Sequence, residues 1–339
     1  MTQPNRIAQL LESVSCISVG VLGDFCLDAY WELDQGMSEL SLETGKPTVA
    51  VTHQRYSPGG AGNVAHNLIA LGVKRVPVFG VAGTDPFGRE LQKQLSELGT
   101  ANGLTLQETA WQTPVYAKPY RGTEEQNRID FGRFNELSRE SERTLIRQLN
   151  TELKNLDGLV INQQLPKSIY TPGLVEALHT FARQWPGKVF LVDARHRIRD
   201  FQAMICKLNA VEAAHVFGKE IRDNESATDE ELRQFAEQIF ARTGRPVFIT
   251  RSRRGILFFD GAAIVHVPAE EVPKPTDPVG AGDTVVAALT AALASGIGLR
   301  DSARLASLAA SVSIRKLKQT GTATPDEILA LSSSAAPIL

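Results

Sequence analysis

Asp277-Pro278-Val279-Gly280-Ala281-Gly282-Asp283-Thr284 runs without a break into Val285-Val286-Ala287-Ala288-Leu289, a stretch with helical character. Two glycines and an alanine let the chain turn tightly into that helix, so several backbone N–H groups converge at the positive end of its dipole. The turn is a pocket for an anion. An aspartate such as Asp283, at the same helix start, has an ordinary pKa of about 3.9 and is ionised at neutral pH, close enough to take a proton from a hydroxyl that attacks the anion. Anion pocket and base together point to phosphoryl transfer. The same residues also read as a plain glycine-rich turn in which Asp283 is a first-turn acid, and the local chemistry leaves both open.

Working outward, apolar strand-like runs recur at 17–22, 76–81, 158–161, 189–192 and 247–250. Most are followed by stretches of helical spacing, at 63–71, 88–98, 173–184, 229–242 and 281–294. This alternation predicts an α/β fold, a doubly wound, mostly parallel sheet flanked by helices, in one domain spanning 1–339. Ligands then belong at the carboxyl ends of the strands. Residues 30–58 and 104–133 alternate apolar and polar side chains with no helical period and read as half-buried strands outside the main sheet. These two insertions are expected to fold over one edge of the site as a small β-sheet lid, whose exposed face suits a homodimer contact. The tail, 332–339, reads as weakly ordered.

The 339 residues are 42% hydrophobic, and 36 Lys+Arg against 38 Asp+Glu give a net charge of −2. A chain of that balance, with no long basic block, offers no footprint for nucleic acid or an anionic membrane. Cys16, Cys26 and Cys206 form neither a CxxC pair nor an even framework, which points to a cytoplasmic home, and the histidines lack metal-ligand spacing. The apolar run 14–23 has no basic flank and reads as a strand, while 284–299 is too short for the roughly 20 residues of a bilayer span and reads as a buried helix.

Two further motifs carry polar groups. Pro58-Gly59-Gly60-Ala61-Gly62-Asn63 opens a helix, and its glycines let a small polar ligand approach the backbone while Asn63 offers a donor and an acceptor to sugar hydroxyls. Gly60-x-Gly62-x-x-Ala65 also fits a dinucleotide fingerprint, which keeps a nicotinamide-dependent oxidoreductase as an alternative. In Gly23-Asp24-Phe25-Cys26-Leu27-Asp28, both carboxylates lie at a strand end where such groups hold sugar hydroxyls; either also reads as a solvated loop acid. Asp85, in a Gly-x-Asp-x-x-Gly turn, reads as a turn cap. Lys118, Arg128 and Arg195 are the cations suited to a phosphate on the acceptor; Lys118 reads first as a surface charge.

Taken in order, Gly23 to Asp28, Gly59-Gly60 to Asn63, Gly80-x-x-Gly83-x-Asp85-x-x-Gly88, Asn209-x-x-Glu212 and Asp277 to Asp283 resemble the ribokinase-like, PfkB-type carbohydrate kinases over about residues 14–332. The resemblance implies that Asp283 is the catalytic base, that Gly280, Ala281 and Gly282 form the anion hole, and that Asp28, Gly59, Gly60 and Asn63 grip the sugar. It further implies ATP and Mg²⁺, with Asn209, Thr250, Arg251, Ser252 and Gly255 on the nucleotide side and Glu212 acting indirectly on the metal. Within the family, Asp28-x-Tyr30-Trp31, Arg128-x-Asp130-Phe131, Val192-Asp193 and Lys316-Leu317 are similar to the kinase half of bacterial heptose-phosphate kinase/adenylyltransferases. The chain departs from that pattern at Asn162-Gln163-Gln164-Leu165-Pro166 and at Tyr120. A regulator of this fold that binds sugar or nucleotide without turnover is the remaining alternative.

Overall fold

The computed structural model describes residues 3–34, 36–317 and 319–334. Its strands are β1 (Val19–Gly23), β2 (Phe25–Asp34), β3 (Ala50–Gly60), β4 (Val78–Phe79), β5 (Val81–Gly83), β6 (Thr105–Gln107), β7 (Val115–Arg121), β8 (Glu124–Glu125), β9 (Ile129–Phe131), β10 (Gly158–Gln163), β11 (Val189–Ala194), β12 (Ile205–Asn209), β13 (Val247–Thr250), β14 (Ile256–Phe259) and β15 (Ile264–Val267). The helices are α1 (Gln3–Val14), α2 (Ala61–Ala70), α3 (Pro86–Glu97), α4 (Arg139–Glu152), α5 (Pro172–Gln184), α6 (Ala210–Val216), α7 (Asp229–Thr243), α8 (Ala281–Ala294), α9 (Leu299–Ser313) and α10 (Pro325–Ser334).

Eight strands form the main sheet in the order β15-β14-β13-β12-β11-β10-β1-β4. Every pair from β4 to β13 is parallel, and the β13-β14-β15 edge is antiparallel. All residues of β1 and β10 are buried, as a strand covered on both faces requires. The register aligns Gly23 with Asn162, Asn162 with Asp193 and Asp193 with Lys207. The carboxyl ends of these strands therefore form one edge, where the candidate site lies.

A second, five-stranded sheet holds β3, β2, β7, β8 and β9. It starts earlier than the alternation suggests, at Phe25, with only Asp24 between it and β1. Thr105–Gln107 does not join it but pairs with β5. Other differences have local causes. The run 14–23 divides because Ile7, Leu11 and Val14 lie at helical spacing and are buried on one face of α1. The run 284–299 divides where Gly296 takes φ 82° between α8 and α9. In the tail, 332–334 continue α10, while 335–339 lie outside the described residues. Asp85 caps α3, accepting from the Gly88 amide at 2.9 Å and from the Thr113 amide at 2.8 Å, in line with the turn-cap reading. No helix among the described residues is long and apolar enough to cross a membrane.

Asp24 is the junction between the two sheets, and neither sequence reading of it holds. It is 2% exposed, and its carboxylate accepts from the amides of Gln164 (2.8 Å), Leu165 (2.9 Å) and Ile169 (3.2 Å) and from Ser168 Oγ (2.7 Å). Burial pushes its pKa up, and those donors pull it back. The residue ties the loop after β10 to the end of β1. Asp24→Ala strands several buried amides and is expected to destabilise the fold by about 2–4 kcal/mol, read from urea unfolding; an unchanged midpoint would contradict the structural role.

Candidate active site

Two helix starts meet at the strand ends. α2 begins after Gly59 and Gly60; Gly60 takes φ 55°, and a Cβ there would stand 2.5 Å from the Asp24 carbonyl oxygen. α8 begins after Gly280, at φ 80°, where a Cβ would collide with the Thr320 side chain. The helices are joined by two side-chain contacts. Asn63 Nδ2 donates to Asp283 Oδ2 at 3.3 Å, and Thr284 Oγ1 donates to Asn67 Oδ1 at 2.9 Å. Asn63 and Asn67 stand one turn apart on α2, so both reach α8 from the same face.

Asp283 is half-buried in the first turn of α8. Burial, then the nearby Asp193 carboxylate, push its pKa up to about 7; Lys207, the Asn63 bond and Arg195 pull the other way. This corrects the expectation of an ordinary, fully ionised carboxylate: the group sits where it can both take and return a proton near neutral pH. The anion pocket is also narrower than expected. The Ala281 amide already donates to the Pro278 carbonyl at 3.1 Å, whereas the amides of Gly282 and Asp283, second and third in the helix, have no carbonyl within the helix to bind.

On the second sheet, Asp28 Oδ1 accepts from Lys118 Nζ at 3.0 Å, and that ammonium lies 4.9 Å from the Tyr30 ring centre. Lys118 is thus partly buried and paired with Asp28, not a surface charge. Gly59 faces Asp28, and a Cβ there would come within 2.8 Å of Asp28 Oδ2. The register sets Asp28 beside Tyr116, with Asp130 beyond it. Arg128 stacks 4.5 Å over the Tyr116 ring and grips Asp130 with two bonds, of 2.6 and 3.0 Å. Arg195, at the end of β11, is exposed.

On the nucleotide side expected from the motifs, Asn209 and Glu212 form a capping box at the start of α6: Glu212 N–H donates to Asn209 Oδ1 at 2.8 Å, and Asn209 N–H donates to Glu212 Oε2 at 2.9 Å. Burial raises the Glu212 pKa, and Lys207 opposes it. One Glu212 oxygen is used in the cap. No cluster of three or more His, Cys, Asp or Glu able to hold a metal occurs among the described residues. Glu212 keeps its other oxygen, a hard donor of the kind that Mg²⁺ takes. At the end of β13, Thr250 Oγ1 donates to the Leu208 carbonyl; beyond it Ser252 takes φ 54°, and Gly255 closes the turn at φ 82°. Arg251 departs from its expected role: it is buried, bonded to Asp229 at 2.6 Å and facing His266 at 3.3 Å, so its guanidinium is a structural tie.

Sequence reasoning missed Lys207 and the place of Asp193. The available signal was a lysine in the otherwise apolar Ile205-Cys206-Lys207-Leu208. The dinucleotide fingerprint lacks its context. Gly60–Ala65 does open α2, but the preceding strand β3 runs antiparallel in the second sheet rather than as a strand of a parallel βαβ unit.

A family model described as pfkB family carbohydrate kinase matches residues 28–327. The chain belongs to that family. The family is one of carbohydrate kinases. Among curated relatives, Bifunctional protein HldE of Geobacter sulfurreducens is 34% identical over 332 residues, covering 96% of this chain and 64% of that protein. The protein of the same name from Caulobacter sp. strain K31 is 33% identical over 335 residues, covering 97% and 65%. The chain thus spans less than two thirds of the length of these relatives. Escherichia coli phosphofructokinase-2 in complex with fructose-6-phosphate shares the ribokinase-like fold, with a TM-score of 0.72 at 20% identity over 94% of this chain and 98% of that one. Arabidopsis thaliana ribokinase complexed with ribose and ATP gives 0.71 at 16% identity, over 94% and 99%.

The raised pKa of Asp283 has a consequence for stability. Its folded value, about 7, lies above the ordinary 3.8, so between about pH 4 and 7 the folded chain binds more protons than the unfolded one and loses stability as pH rises. Asp283→Asn is expected to remove this loss. At pH 8 the variant should be more stable than wild type by about 1–3 kcal/mol, while at pH 4 the two should match in urea unfolding.

Proposed function

We propose that the chain is an ATP-dependent kinase that transfers the γ-phosphoryl group to a hydroxyl of a sugar or sugar phosphate, heptose-phosphate-like or fructose- or ribose-like. The observation that carries this reading is the Asp283 carboxyl, poised near neutrality in the first turn of α8 beside two main-chain amides and bonded to Asn63. In this scheme Asp283 takes the proton of the attacking hydroxyl while the amides of Gly282 and Asp283 stabilise charge on the transferring group. Mg²⁺ bound to the nucleotide's phosphates would offset their charge, and the spare oxygen of Glu212 would be the residue's donor toward it.

The acceptor lies beneath the second sheet, which serves as lid to a single catalytic unit. Asp28 and Asn63 hold its hydroxyls, Gly59 leaves room for it, and Lys118, Arg128 and Arg195 are the cations placed to meet a phosphate on it. A regulator without turnover has little use for a base at this spot, which favours the enzyme. Incubation with Mg-ATP and a panel of free sugars, hexose phosphates and heptose phosphates is expected to release ADP with at least one class. Asp283→Asn should then lower kcat by roughly 10²–10⁴-fold with the sugar KM nearly unchanged; near-normal turnover in that variant would remove the assigned role. Asp28→Ala should raise the sugar KM about tenfold or more, and an unaltered KM would count against its placement.

The lid also supports a homodimer. Beyond the part packed on the core, its apolar side continues into a groove lined by the apolar Trp31, Leu33, Val49, Val51, Pro119 and Ile129 together with the polar Arg121, Glu124, Glu125, Gln126 and Asn127, with Val51 49% and Ile129 47% exposed. Apolar side chains in such a row suit a second copy of the same face. Light scattering should give a dimer for the wild type and a monomer for Val51→Asp/Ile129→Asp; a wild-type monomer at micromolar concentration would rule out this contact.

A further inference from the structure

Below the start of α8 lies a buried polar cluster that the scheme above does not use. Asp193, in β11, takes three donors: Lys207 Nζ on Oδ1 at 3.0 Å, and Asn162 Nδ2 and Gln164 Nε2 on Oδ2 at 3.1 and 3.2 Å. Lys207, on the neighbouring strand β12, is 4% exposed, and Asp193 is its one hydrogen-bond acceptor among the described residues. A Cβ built on Gly282 would stand 3.5 Å from the Lys207 ammonium, which places that charge against the first turn of α8.

This placement is poor as structure. An ammonium beside the positive end of a helix dipole is repelled by it. A buried ion pair also seldom contributes more stability than a packed apolar pair of the same volume. It makes sense as electrostatics for the carboxyl that shares the turn. Asn63 from α2 bonds Asp283, and Cys26 from β2, Asp193 from β11, Arg195 just beyond β11 and Lys207 from β12 interact with it electrostatically. Two of these are cations, and Arg195 is exposed, where solvent screens its charge. Lys207 is the buried one.

We propose that Asp193 and Lys207 are positioning residues that act on phosphoryl transfer through Asp283: their opposed charges, locked together beneath the first turn of α8, set how readily that carboxylate takes and returns its proton. The inference rests on the role given to Asp283 above. Asp193 works against ionisation and Lys207 for it, so removing each should move the base in opposite directions. A pair serving only to hold the strands together would not do so.

The test is the titration of Asp283 in the full chain without ligand, followed by carboxyl NMR of [¹³C]aspartate-labelled protein, the resonance being identified by its loss in Asp283→Asn. Asp193→Asn is expected to move the midpoint to lower pH and Lys207→Met to higher pH, each by about half a unit to one unit; Lys207→Arg, which keeps the charge, should restore the wild-type value. Should Lys207→Met fail to fold because it leaves Asp193 alone, the double variant Asp193→Asn/Lys207→Met leaves no lone buried charge and should titrate above Asp193→Asn. The acid limb of the pH–kcat profile should follow in each case. A midpoint that stays at the same pH in every folded variant overturns the inference while leaving Asp283 as base; turnover that survives Asp283→Asn removes the base itself.

Discussion

Two side-chain bonds spanning more than two hundred residues of sequence, from Asn63 to Asp283 and from Thr284 to Asn67, hold the start of α2 against the start of α8. The rest of the site is hung from that clamp. α2 is the continuation of β3 and so carries the second sheet, with Asp28 and Gly59, to a fixed place over the strand ends. α8 brings the amides of Gly282 and Asp283 to the same point from the other end of the chain. Because Asn63 and Asn67 lie one turn apart, two asparagines fix both the separation of the helices and their rotation.

The charges collected at this edge are costly. Asp24, Asp193 and Lys207 are all buried, and Asp283 sits where its ionised form is disfavoured. Each of the first three is met by several donors or an opposite charge, which limits the cost of burial. Asp283 is less fully compensated, since among the described residues Asn63 supplies the one hydrogen bond to its carboxyl. Stability is given up at the one carboxyl to which the proposed scheme assigns chemistry.

The regular elements could be read from the sequence where local pattern and tertiary packing agree. The strand at 247–250 and the helix at 281–294 begin and end where the apolar run and the glycine turn place them. The charged residues were less legible. Asp24 and Asp28 stand four residues apart, the first between β1 and β2 and the second within β2, yet the first is a structural pin and the second faces the second sheet's Lys118. The fate of a lysine depends on a partner the local sequence does not reveal: Lys118 meets Asp28 from 90 residues away, and Lys207 meets Asp193 across a strand boundary. Arg251 likewise follows a strand as a nucleotide ligand could, but Asp229 and His266 occupy its guanidinium. Pattern shows where a chain is buried, not which buried charge has an answering one.

The second sheet is joined to the body at one end. Phe25 pairs with Gly60, Leu27 with Val115, and Val115 with Phe131, so the four places where the chain enters or leaves the sheet lie along the same border. Mechanically this is a cantilever rooted at Asp24, whose carbonyl also accepts the first amide of α2. A plate so mounted tips but does not slide. With about 3.3 Å per residue along β2, a tilt of about 10° sweeps the far tip through roughly 5 Å but shifts Asp28 by only about 2 Å. In such a tilt the residues nearest the root would keep their aim while the outer rim moved farthest.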